Sequence, residues 1–138
     1  MTLKTLAVVS GIYDLLLCLP MLLAPAATAA LFGAPPPVPV LNAQLNGVFT
    51  LSLAAGYFWA AAAPEERRGY LWVAGVLAKG LGASLFVIDH ALRGSPAAFL
   101  LFAATDGSLA LLSLGLLLRA PDRVSTPGTR SGPAAPRS

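Results

Sequence analysis

The sequence predicts an all-α membrane protein, a bundle of four transmembrane helices with both termini in the cytoplasm. Three observations lead there. Hydrophobic residues fill 57% of the 138 positions and charged residues only 11%, less than half the share of about 25% usual in soluble domains. Four apolar stretches each approach the roughly 20 residues that a spanning helix needs. No stretch has a polar face, which rules out a soluble bundle of amphipathic helices. A helix that is apolar all round wants lipid or a very large core, and 138 residues are too few to build that core. The same composition excludes disorder for the bulk of the chain. A single Cys excludes a disulfide framework and any multi-cysteine metal site.

The first stretch runs from about Thr5 to Ala24, close behind Lys4. A secretory signal peptide is the competing reading, with Ala27-Thr28-Ala29 as a small-residue cleavage site. Asp14 in the middle of the apolar run, and the length of that run, favour a retained helix. Pro20 frees the carbonyl of Leu16 and should kink the helix just past Asp14. The loop that follows holds Pro25, Pro35, Pro36, Pro37 and Pro39, which favour extended structure.

The second stretch runs from about Leu41 to Ala63 and ends at the short polar loop Pro64-Glu65-Glu66-Arg67-Arg68. The third runs from about Tyr70 to Ala91, and Leu92-Arg93-Gly94-Ser95 links it to the fourth, about Pro96 to Leu118. No repeat of 20–50 residues is visible, which argues against a solenoid. The chain therefore divides into a transmembrane domain over 1–119 and a tail over 120–138. That tail is rich in Pro, Gly, Ser and Thr from Pro121 on and is expected to be disordered.

Orientation follows from the basic residues. The N-terminus, the second loop and the tail carry Lys4, Arg67, Arg68, Arg119, Arg123, Arg130 and Arg137, against Arg93 alone in the first and third loops. A bias of seven to one places both termini on the cytoplasmic side. It also accounts for the net charge of +3 and the pI of 9.5 without nucleic acid as a partner. The expected partners are the lipid bilayer and either a small amphipathic ligand or another membrane protein.

Three ionisable residues lie inside the spans: Asp14 in the first, Lys79 in the third and Asp106 in the fourth. The span midpoints fall near residues 14, 80 and 107, so at about 1.5 Å rise per residue the three share one depth near the bilayer centre. Each costs roughly 2.5–3.5 kcal/mol at a helix centre, and each Leu, Ile, Phe or Val returns about 0.3–0.6. The fourth span has nine Leu and two Phe, a return of roughly 3–6 kcal/mol that absorbs Asp106. The third is poorer and carries Gly75, Gly80 and Gly82, so it should rely on pairing Lys79 with a carboxylate. Two carboxylates and one ammonium sum to −1, and one Asp is expected to hold a proton. Such a cluster suits ligand binding or proton relay, although the same pairing can serve as interhelical glue.

Asn46 joins these three as a candidate site residue. It shares a face with Asn42 and Thr50; Asn42 reads better as a hydrogen bond between helices. Small residues are spaced for close packing at Ser52, Gly56 and Ala60, at Ala74, Ala78 and Gly82, and at Ala103 and Gly107. Tyr57, Trp59, Tyr70 and Trp72 suit headgroup anchors, and Trp72 also lies near enough to Lys79's level to face a ligand. His90, the sole His, reads as an interfacial residue and Cys18 as an inert buried thiol. No GxGxxG, P-loop or GxSxG motif occurs. The sequence offers no catalytic residues, no metal ligands and no identifiable cofactor.

Tyr13-Asp14, Asn46-Gly47, Gly56-Tyr57 with Pro64 and Arg67, Gly75 with Lys79, and Asp106 form a pattern over residues 1–119. It resembles the small four-helix bacterial inner-membrane proteins grouped as DoxX-like. The resemblance implies a four-helix bundle in the inner membrane, with a quinone- or lipid-related role in some relatives, and transfers no catalytic residue. Two functions are then open: a module binding a small amphipathic ligand or relaying protons at the Asp14–Lys79–Asp106 cluster, or a non-catalytic accessory subunit of a larger membrane complex.

Overall fold

In a computed structural model the structure describes residues 1–119; the tail expected to be disordered lies outside them. The described residues are all-helical, with no strand among them. Four helices are long and apolar enough to cross a membrane: α1 (Leu3–Leu23), α3 (Val40–Ala62), α4 (Arg68–Arg93) and α5 (Ala97–Arg119). A short α2 (Pro25–Leu31) stands between the first two.

Helix α1 starts at the Thr2 N-cap, whose hydroxyl accepts from the Thr5 N–H at 3.2 Å and so satisfies one of the free donors of the first turn. It stays helical through Pro20 to Leu23. Its buried positions Leu3, Leu6, Ala7, Ser10, Gly11, Asp14 and Cys18 recur at three- and four-residue steps and form one stripe. This stripe packs along α3, while α4 packs along α5.

The Pro-rich loop is not wholly extended. Pro25 sits at the first position of α2, where its fixed φ and missing N–H cost nothing. The Ala-rich run behind it is a strong helix former. Gly33, at φ +69°, closes α2: its N–H bonds to Ala30 O at 3.0 Å and that of Ala34 to Ala29 O at 2.9 Å. That pair of bonds is a Schellman cap, which needs the left-handed backbone that glycine adopts freely.

Helix α4 departs from α-geometry over Leu71–Ala78, which is π-helical. A π-turn closes i→i+5 bonds and takes in an extra residue, so the side-chain register shifts just before Lys79. The predicted stripe Ala74, Ala78, Gly82 is therefore split. Ala74 and Gly75 are buried in the bundle, whereas Ala78 is exposed on the wall of a cavity.

The helices meet most closely at the end formed by the second loop. Leu3, Ala7, Tyr57, Ala60, Ala61, Leu71, Ala74 and Leu117 make the core there. Small residues set the spacing: a Cβ on Gly75 would stand 2.8 Å from Ser113 Oγ, and one on Gly56 would stand 2.3 Å from the Tyr70 ring. Arg67 donates to Trp59 O and lies over the Trp59 ring at 4.3 Å. Arg68 donates to Leu117 O at 2.7 Å, tying α4 to the end of α5. Tyr57 is fully buried rather than at the surface, and the Tyr70 hydroxyl donates to Leu53 O at 2.6 Å. Of the four expected anchors, only Trp59 and Trp72 are exposed.

Candidate functional site

The stripe on α1 aims Asp14 at the bundle interior, and the end of the π-segment aims Lys79 to meet it. Lys79 Nζ donates to Asp14 Oδ1 at 2.7 Å and to Asp106 Oδ1 at 3.1 Å. The three residues placed at one depth by counting are thus one cluster joining α1, α4 and α5. Aromatic rings flank the ammonium, Tyr13 at 4.7 Å and Tyr57 at 5.6 Å from their centroids. Such contacts add a quadrupole attraction to the two ion pairs.

Burial is uneven across the cluster. The side chains of Lys79 and Asp14 are 5% and 3% exposed, and that of Asp106 is 16% exposed. Among the described residues, Asp14 Oδ2 is buried with no hydrogen-bond partner, as are the hydroxyls of Ser10, Tyr13 and Tyr57. Ser10 stands one turn before Asp14 on the same stripe.

Away from the closed end, the α1–α3 and α4–α5 pairs separate around a cavity of about 600 Å³. Asp14, Lys79 and Asp106 line its deep end, and Asn46 lines its side, with Thr50 one turn deeper. Phe32, Phe86, Phe99 and Phe102 line the end near the first and third loops. Their ring centroids lie 4.7–6.2 Å apart, the range of offset and tilted aromatic packing. Asp106 is nine residues inside α5, so the charged floor lies about 14 Å below the helix end.

All four predicted site residues, Asp14, Lys79, Asp106 and Asn46, therefore face one cavity. Asn42, Trp72, Cys18 and His90 do not line it. His90 Nδ1 instead lies 2.6 Å from Ser95 O and secures the third loop. The sequence reading missed the phenylalanines. Phe102 precedes Asp106 by four residues and Phe86 follows Lys79 by seven, both helical same-face spacings, so a signal was present. Chemically, the site offers two acceptors and one committed ammonium at the base of an apolar, aromatic-walled space. The chain matches no family model, no curated protein and no solved structure.

Proposed function

We propose that this is a multi-pass inner-membrane protein with both termini in the cytoplasm that binds a small amphipathic ligand in the cavity between its two helix pairs. One observation carries the reading: an apolar space of about 600 Å³ ends on the Asp14–Lys79–Asp106 cluster. Small-molecule sites commonly measure about 300–1,000 Å³, mostly apolar with a few convergent polar groups. Intramembrane charges that face such a space mark ligand or ion sites. The ligand's apolar body would lie against the phenylalanines and its polar end on the cluster, with Asn46 offering both a donor and an acceptor from the side. Grouping the chain with DoxX-like proteins belongs to the same proposal.

The ion pair supports retention of α1, since cleavage after it would strip Lys79 of Asp14. The accessory-subunit alternative leaned on the small-residue stripes, and three of those residues, Gly56, Ala60 and Ala74, already have partners within the bundle. Tyr70 covers Gly56, Ala60 and Ala74 sit in the core, and Ser113 abuts Gly75.

Ala78→Leu tests the reading, because Ala78 lines the cavity and a larger side chain there fills it. Native mass spectrometry on protein released from mild detergent should show a bound small molecule on the wild type and none on Ala78→Leu, with the variant melting no lower. An equal adduct on both proteins, or none on either, would refute it.

A further inference from the structure

The charges on the cavity wall restrict what can occupy it. Among the described residues, Asp14, Lys79 and Asp106 are the only charged ones lining it, and their formal sum is −1. A low-dielectric interior does not keep an uncompensated charge, because the cost of desolvating it is several kcal/mol. One positive charge must therefore enter, as a proton or as part of a ligand. Lys79 cannot provide it, since its ammonium is already committed to both carboxylates, at 2.7 and 3.1 Å. An anionic head would meet those same two carboxylates.

Two further observations point to the same occupant. Asp14 Oδ2, on a cavity-lining residue, is buried with no hydrogen-bond partner among the described residues, a lone pair that a proton satisfies. The opposite end carries four phenylalanines, with Phe102 one turn from Asp106. Aromatic faces attract cations and bury apolar bodies.

We propose that the cavity binds a lipophilic monovalent cation against Asp106, in exchange for one proton that Asp14 and Asp106 share when it is empty. The inference rests on the ligand-cavity reading above and adds the charge of the ligand and the ion it displaces. Asp106 receives the cation because its side chain is the more exposed carboxylate, 16% against 3% for Asp14. The groups around Asp106 are Lys79 from α4, Asp14 and Tyr13 from α1, and Tyr57 from α3. The exchange balances: the carboxylic O–H bond breaks, the proton leaves to water, and the cation takes its place, so the site stays neutral before and after.

The test is calorimetric titration of the full-length protein in detergent with tetraphenylphosphonium, in buffers of differing ionisation enthalpy on either side of neutral pH. One proton should be released per cation bound where the pair is protonated, and Kd should fall about tenfold per pH unit there. Asp106→Asn should weaken binding about 30-fold or more and abolish proton release, while Asp106→Glu retains both. If Asp106→Asn does not fold, Phe102→Ala serves instead, with weaker binding and the same proton count. Binding of tetraphenylphosphonium without pH dependence would overturn the exchange. Tighter binding of the isosteric anion tetraphenylborate would overturn the charge assignment and leave the cavity reading intact. No binding of either probe to the wild type would overturn the proposal, and equal binding to the wild type and to Ala78→Leu would sink the cavity reading itself.

Discussion

Replacing Lys79 with Met removes the charge and keeps most of the side-chain length. In the wild type, Nζ lies 2.7 Å from Asp14 Oδ1 and 3.1 Å from Asp106 Oδ1, and the side chain is 5% exposed. The substitution leaves both carboxylates without the ammonium that joins them. Removing one partner of a buried ion pair costs about 3–5 kcal/mol. For a chain of this length that corresponds to a fall of roughly 10 °C or more in Tm. Melting followed by size-exclusion chromatography in mild detergent would measure it. The triple variant Lys79→Met, Asp14→Asn, Asp106→Asn carries no charge at the site and should recover most of the loss, since no buried charge is left without a partner. Of the two double variants, the one containing Asp14→Asn should recover more. Asp14 is the more buried carboxylate, and its Oδ2 has no hydrogen-bond partner among the described residues. A Lys79→Met protein melting within about 2 °C of the wild type would refute the reasoning.

Gly75→Ala places a Cβ 2.8 Å from Ser113 Oγ, which is itself held by a 2.7 Å hydrogen bond to Leu109 O. It should cost about 1–3 kcal/mol, with Ser113→Ala returning part of the loss in a double-mutant thermal cycle. Tyr57→Phe deletes a buried hydroxyl that has no hydrogen-bond partner among the described residues, so the melting point should stay level or rise. A loss above about 1 kcal/mol would show instead that a bound water satisfies that hydroxyl.

The depth of Asp14, Lys79 and Asp106 was legible in the sequence because depth is a count along a helix, and a constant rise converts the count to distance. Which side of the helix each residue faces is harder to read. The π-segment Leu71–Ala78 contains no proline and no other local signature, yet it moves Ala78 out of the packing stripe and onto the cavity wall. Tyr57 was legible only as an amphipathic aromatic at a helix end, since its burial depends on Leu71, Ala74 and Leu117 arriving from two other helices. Helix α2 did have local signals, Pro25 at its start and Gly33 at its end. The prolines at 35, 36, 37 and 39 concealed them by making the whole loop look extended.

The distribution of residue sizes explains why the bundle is closed at one end and open at the other. At the closed end Ala60, Ala61, Ala74 and Gly75 allow backbones to approach closely, and close packing is what drives helix association in lipid. At the other end Phe32, Phe86, Phe99 and Phe102, with Pro35 and Pro37, hold the two helix pairs apart. The charged cluster marks the floor between these regions, so the proposed ligand would reach it from the side of the first and third loops. Passage onward would require Leu3, Leu71 and Leu117 to separate and the bond from Arg68 to Leu117 O to break. The arrangement is therefore that of a cavity closed at the small-residue end, and on the proposed function a transport cycle would need a second conformation in which that end parts.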